Sequence, residues 1–170
     1  ECGMVPIVEP EVLMDGDHSA DDCLIKTSEV IKKCFEDLIL HKVDLTGIIL
    51  KPNMILAGNQ SKNKISNEEV SSKTLECLKK SVPSEIPGIA FLSGGQSELE
   101  ATENLNLINK NNNTNFIMTY SYGRALQKGA LKFWSKDIKD IKGTQNVFNH
   151  RAKMCTLAAQ GKWSKELENK

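Results

Sequence analysis

The sequence predicts an α/β fold in which four strand–helix units build one parallel sheet. Three observations predict it. Short apolar runs alternate along the chain with segments of helical periodicity, the order that gives parallel strands joined by right-handed crossovers. The runs show little polar alternation, as in strands covered on both faces. Each run also ends on a polar group, Glu9, Lys51, Ser93 or Ser121, at the strand end where parallel α/β folds place their chemistry.

Met4 to Val8 reads as the first strand, with Pro6 a warning, because proline removes a ladder bond. Asp22 to Leu40 comes next as a helix. Its paired apolar residues Cys23/Leu24, Val30/Ile31, Cys34/Phe35 and Leu38/Ile39 repeat as one buried face, and Ser19 stands where a cap belongs. Gly47 to Leu50 is the second strand. Ser66-Asn67-Glu68-Glu69 is a capping box opening a helix to about Ser81. Ile89 to Leu92 is the third strand, stopping at Ser93-Gly94-Gly95. Ser97 caps the next helix, which points Ala101, Leu105 and Ile108 inward. After an asparagine-rich loop, Phe116 to Tyr120 is the fourth strand, and a short helix comes after it. A last helix is expected from about Asp137 to Gln160, with Gly161 at the position that favours glycine. Its seam through Ile138, Ile141, Gln145, Phe148, Ala152, Cys155 and Ala159 suits docking on the body better than a free coiled coil.

Two architectures satisfy this order. One is a small open, doubly wound sheet. The other is half of a (β/α)8 barrel, whose full length is ~250 residues. Periodicity does not choose between them.

Composition excludes several function classes. Of 170 residues, 22 are Lys or Arg and 22 are Asp or Glu, so the formal net charge is zero. Binding driven by counterion release from nucleic acid needs a basic face, and a polybasic membrane tether needs the same excess. The expectation is therefore no nucleic-acid partner and no membrane partner. The five cysteines, Cys2, Cys23, Cys34, Cys77 and Cys155, are odd in number and form no C-x-x-C pair. That points to a reducing, cytoplasmic setting rather than a disulfide framework. His18, His41 and His150 lie far apart without metal-ligand spacing, so no metal and no cofactor is expected.

Lys51 is the sharpest candidate. An amine at the end of an apolar strand can be freed to attack a carbonyl by desolvation or a cationic neighbour. Glu9 and Glu11 put two carboxylates at another strand end, where one could act as general acid or base. Ser93-Gly94-Gly95 precedes a capped helix, so backbone N–H groups can approach an anion. Gly123-Arg124 offers a second backbone approach and a guanidinium for phosphate.

Six segments together carry a family resemblance. They are Val5-Pro6-Ile7-Val8-Glu9-Pro10-Glu11, Asp15-Gly16-Asp17-His18, Leu50-Lys51-Pro52-Asn53-Met54, Phe91-Leu92-Ser93-Gly94-Gly95-Gln96-Ser97-Glu98, Ser121-Tyr122-Gly123-Arg124-Ala125-Leu126-Gln127 and Gln160-Gly161-Lys162. In this order the chain closely resembles the class I, Schiff-base fructose-1,6-bisphosphate aldolases. The resemblance implies a (β/α)8 TIM barrel, of which this chain supplies strands five to eight and a long C-terminal helix. It implies that Lys51 forms the iminium with the substrate ketone. Glu9 then handles protons during carbinolamine dehydration, with Glu11 beside it. Ser93, Gly94 and Gly95 hold a substrate phosphate together with Ser121, Gly123 and Arg124.

The same resemblance implies a glycolytic lyase that cleaves fructose 1,6-bisphosphate. Its partners would be the phosphorylated sugar, the other half of the barrel and the further copies of a homotetramer. The family's chain is about twice this long, and its first half brings a cleavage aspartate and further lysines. The 170-residue chain alone is therefore expected to have little aldol cleavage activity. The alternative is a non-catalytic fragment that binds phosphate or serves assembly.

Overall fold

The computed structural model describes residues 2–169; Glu1 and Lys170 lie outside them. The elements run in order β1 (Ile7–Val8), α1 (Ala20–Leu40), β2 (Ile49–Leu50), α2 (Asn67–Ser81), β3 (Gly88–Phe91), α3 (Glu98–Lys110), β4 (Ile117–Tyr120), α4 (Arg124–Trp134) and α5 (Ile141–Ala159). Single 3-10 turns occupy Leu45–Gly47 and Lys165–Asn169.

The strands lie in the order β1-β2-β3-β4, every pair parallel. This decides between the two architectures. A doubly wound sheet reverses its strand order at a switch point. Here the order never reverses, so right-handed crossovers carry every connecting helix to the same face. Consecutive helices pack on one another, α1 on α2, α2 on α3 and α3 on α4. The result is the geometry of half a (β/α)8 barrel.

Burial reflects this one-sided layering. The register aligns Val8, Leu50, Ile89 and Met118 in one row. Leu50, Ile89, Phe91 and Met118 are buried beneath the helices. The neighbouring row, Ile7, Ile49, Gly88 and Ile117, faces the other way. There Ile7 is 54% and Ile117 75% exposed. Within residues 2–169 the helices cover the outer face, and the inner row is apolar as well, which accounts for the lack of polar alternation in the runs. Ile49, Gly88 and Ile117 of that row, with Val5, Pro87 and Thr119, border an open apolar hollow of about 390 Å³.

Helix starts are local and match their caps. Ser19, Ser66 and Ser97 each accept from the backbone three residues on. Asp22, Glu69 and Glu100 complete the three capping boxes. Gly161, at φ +66°, ends α5: its N–H bonds to Ala158 and that of Lys162 to Leu157, the Schellman pattern.

Several ends differ from the sequence reading. The first strand is only Ile7–Val8, because Pro6 has no N–H for the ladder and β1 is an edge strand. The first helix begins at Ala20, two residues before Asp22, under its Ser19 cap. The last helix starts at Ile141 rather than Asp137, because Asp140 takes the N-cap position and its side chain accepts from the Gly143 N–H. That helix docks on α3 and α4. Only the later part of its seam is deeply buried, at Cys155 with neighbouring Ala158, while Ile138 and Ile141 stay exposed. Among the described residues no helix is long and apolar enough to cross a membrane.

Candidate active site

Parallel strands end on the same side of a sheet, so the polar groups after β1, β2, β3 and β4 meet at one rim. The register carries Glu9 opposite Lys51, and the Lys51 N–H bonds to the Val8 carbonyl at 2.8 Å. Across this step Lys51 Nζ lies 2.9 Å from Glu9 Oε1. The lysine side chain is 20% exposed and the glutamate 47%. An amine and a carboxylate at that separation can pass a proton directly.

Backbone bonds and one buried amide fasten the loop that carries Glu9 and Glu11. Asn53, in the turn after Lys51, accepts the Val12 N–H at 3.0 Å and donates to Thr27 Oγ1 and the Met54 carbonyl, each at 3.1 Å. Further on, the loops after β1 and β2 bond directly: Gly58 N–H to His18, Asn59 N–H to Met14 and Gln60 N–H to Gly16. A β-carbon at Gly58 would overlap the Gly16 carbonyl oxygen. The Asp15-Gly16-Asp17-His18 segment therefore serves close backbone approach between two loops.

The phosphate-type elements come from the other two strands. Gly94 and Gly95 come after Ser93 at φ +53° and +81°, both in the left-handed region that favours glycine. A β-carbon on Gly95 would sit 2.6 Å from Met14 Sδ. Gln96 braces this turn from beneath. Its Nε2 donates to the Ser93 carbonyl at 2.9 Å, and its Oε1 accepts from Asn104 at 2.7 Å. Ser121 extends the ladder, its N–H bonding to Phe91 at 2.8 Å. Gly123 then forms the N-cap of α4, where no side chain caps the helix. A β-carbon at Gly123 would meet nothing within 4 Å, so a ligand can approach this positive helix end.

A cleft of about 280 Å³ joins Glu11, Asp15, Asn59, Gly94, Gly95 and Arg124. The structure thus brings Glu11, Gly94, Gly95 and Arg124 to one cleft and Glu9 to Lys51. Ser93, next to Gly94 in the chain, is buried, and Ser121 is half-buried. Among the described residues Glu11 makes no hydrogen bond to Lys51; it stands exposed on the phosphate side of the rim. Arg124 also borders a second hollow of about 310 Å³, shared with Gly95, Glu98 and Lys128.

Sequence reasoning missed three contributors to the site and a fourth residue that fastens the last turn. Asn53 and Gln96 lie inside two of the six family-like segments, and their burial is the signal that they brace loops. Lys128 stands one helical turn after Arg124, a spacing that would have flagged it. Glu168 is the fourth. Its carboxylate takes Arg151 bidentately, at 3.0 and 2.8 Å, and Trp163 Nε1 at 2.8 Å. Burial pushes this carboxyl up, but hydrogen bonds from Arg151 and Trp163 outweigh it and hold it below the usual range. That cluster pins the 165–169 turn to α5. Among the described residues no group of three or more His, Cys, Asp or Glu side chains is placed to hold a metal.

The comparisons agree with this geometry. The family model for glycolytic fructose-bisphosphate aldolase class-I matches residues 1–170. A probable fructose-bisphosphate aldolase class 1 of Xanthomonas campestris is 44% identical over 164 residues, covering 96% of this chain and 49% of the relative. Fructose-bisphosphate aldolase C of Carassius auratus is 46% identical over 162 residues, 95% of this chain and 45% of its own. A solved fructose-bisphosphate aldolase from Plasmodium falciparum superposes with a TM-score of 0.91 at 42% identity, over 95% of this chain and 46% of that one. The chain therefore spans about half the length of the relatives it matches. With the family model matching end to end and the parallel half-barrel superposing on a solved member, the chain belongs to the class-I fructose-bisphosphate aldolase family.

Proposed function

We propose that this chain supplies the Schiff-base lysine and the ketose-phosphate site of a class-I fructose-bisphosphate aldolase. The observation that carries the reading is the 2.9 Å pair of Lys51 Nζ and Glu9 Oε1 at the strand rim. The uncapped α4 terminus and the Gly94-Gly95 turn lie along the same rim.

In this reading Lys51 adds to the substrate ketone, and Glu9 first protonates and then releases the carbinolamine oxygen as water. The resulting iminium is an electron sink. When the bond between the third and fourth carbons breaks, its electron pair flows into the iminium and gives a neutral enamine. The hydroxyl of the fourth carbon gives its proton to the cleavage aspartate that the resemblance places in the other half of the barrel, and the departing aldehyde is glyceraldehyde 3-phosphate. Protonation and hydrolysis of the enamine then release dihydroxyacetone phosphate and regenerate the amine. Ser93, Gly94, Gly95, Ser121, Gly123 and Arg124 hold the ketone-side phosphate through N–H groups and a guanidinium, and Glu11 is the second carboxylate. The reading also places the complete enzyme in the cytoplasm, as a homotetramer.

The described residues leave the Lys51–Glu9 pair partly open, with the Glu9 side chain 47% exposed, and the reading assigns this chain iminium formation without efficient cleavage. The second reading, a phosphate-binding or assembly piece, is favoured by the uncovered inner row at Ile7 and Ile117. Borohydride reduction with dihydroxyacetone phosphate, then peptide mass mapping, separates them. An adduct on Lys51 supports the first. No adduct, with phosphate binding retained, overturns it in favour of the second.

A further inference from the structure

We infer that a hollow between α2 and α3 is an effector site for a small aliphatic α-amino acid, coupled to the Gly94-Gly95 turn. The binding site stands on its own geometry; only its coupling to phosphate rests on the functional reading above.

The hollow measures about 180 Å³, and an engineered cavity of about 150 Å³ already admits benzene. Its walls come from the N-terminal halves of the two middle helices and from the loops after β1, β2 and β3. One atom in these walls lacks a donor. Asn104 is 2% exposed, and its Oδ1 has no hydrogen-bond partner among the described residues. Flipping the amide does not remove the orphan. The Ser93 carbonyl can only accept, so Gln96 must turn Nε2 to it, at 2.9 Å. Gln96 Oε1 can then only accept, so Asn104 must turn Nδ2 to it, at 2.7 Å. Oδ1 is left over, and a buried carbonyl without a donor is costly. The ligand that fits therefore carries an N–H or O–H donor.

Charge narrows the class. The walls carry one ammonium, Lys64, and one carboxylate, Glu100. Lys64 Nζ donates once, to the Gly58 carbonyl, and Glu100 Oε2 accepts the Ser97 N–H, so both keep bonding capacity. A simple amine would be repelled by Lys64 and a simple acid by Glu100. A zwitterion meets both favourably, its ammonium at Asn104 Oδ1 and Glu100, its carboxylate at Lys64. Leu56, Ile65 and Val70 give an aliphatic wall for its side chain.

The hollow backs on to the phosphate cleft. Met14 and Gly95 line both, and Asn104 reaches the turn through Gln96 and the Ser93 carbonyl. A ligand held by Asn104 fixes this chain of hydrogen bonds and holds Met14 against the turn. The turn is then ordered before phosphate arrives, so each ligand should tighten the other by the same factor.

The test is calorimetric titration of the 170-residue chain with L-valine, alone and with inorganic phosphate. Valine should bind, and more tightly than isobutylamine or isovalerate, each of which lacks one of its two charges. Saturating phosphate should strengthen valine binding about fivefold or more. Lys64→Met should erase the preference for valine over isobutylamine, because the carboxylate loses its partner. Ile65→Trp, which fills the hollow from its half-buried edge, should abolish valine binding and leave phosphate binding as it was. Circular dichroism checks the fold of both variants, and should Ile65→Trp fail to fold, Lys64→Met decides. No heat with millimolar valine, the hollow then taking an ordered water only, would overturn the inference. Binding that ignores phosphate, or a preference that survives Lys64→Met, would do the same. Valine binding by a chain that binds no phosphate would support the site and overturn the functional reading, and with it the coupling.

Discussion

The Asn53 side chain bridges 41 positions of chain to hold the Val12 N–H at 3.0 Å, while its Nδ2 reaches Thr27 Oγ1 at 3.1 Å. β1 pairs with β2 over just Ile7 and Val8, too short a ladder to fix the loop beyond it. One buried amide therefore extends the pairing past the strand end and sets where the segment after Glu9 runs.

Replacing Asn53 by Ala should cost about 2 kcal/mol of stability, because the part-buried Val12 N–H loses its acceptor and the buried Thr27 hydroxyl is left with only the Cys23 thiol. Urea unfolding measures this. The yield of borohydride-trapped adduct should fall with it, since the Glu9 loop is released. A stability loss with unchanged trapping would show that Glu9 is positioned by other means.

Features with a local cause were legible in the sequence. Ser19, Ser66 and Ser97 cap helices whose starts lie within a residue or two of where the letters put them, because a capping box spans four residues. Gly161 ends α5 for a reason visible in one residue and its neighbours. Strand order was not legible: β1-β2-β3-β4 depends on contacts between distant segments, so the half barrel could not be told from a doubly wound sheet by periodicity. The site divides the same way. Lys51 and Glu9 announce themselves as charges at strand ends. Asn53, Gln96 and Glu168 act through partners 8 to 41 positions away, and a single polar letter carries no sign of that.

Lys51→Arg keeps the positive charge opposite Glu9 but removes the nucleophilic amine. The adduct with dihydroxyacetone phosphate should vanish. Stability should change by less than about 1 kcal/mol, as for other ion pairs open to solvent. Glu9→Gln leaves the amine in place and removes the proton carrier, so trapping should slow by roughly 100-fold rather than stop. Equal loss in both variants would argue that Glu9 only orients the lysine.

Arg124→Ala should weaken inorganic phosphate binding by about 2 kcal/mol, the size of a charge-assisted hydrogen bond, with stability unchanged because the side chain is exposed. Lys128→Ala, farther along the same hollow, should do less. Gly95→Ala is a different kind of change. Its φ of +81° costs a β-carbon about 1–2 kcal/mol, and that carbon displaces Met14 from the cleft wall. Calorimetric titration with phosphate, beside urea midpoints, should find binding lost with little destabilisation in the first variant and both affected in the third.

The Arg151–Glu168 pair predicts how stability responds to acid. Glu168 is held below the usual carboxylate range, its burial outweighed by the hydrogen bonds of Arg151 and Trp163. A carboxyl depressed by folding binds its proton more readily when unfolded, at a pKa of about 4.3. Its contribution is therefore complete well above that value and is lost as pH falls through the lower folded value. Glu168→Gln should be destabilised at neutral pH by about 3 kcal/mol, since Arg151 keeps a buried charge without its counterion. The gap between wild type and variant should narrow as pH drops below about 4. Thermal unfolding of both chains from pH 7 to pH 3 reads this directly, and parallel curves would mean that the pair contributes no acid sensitivity.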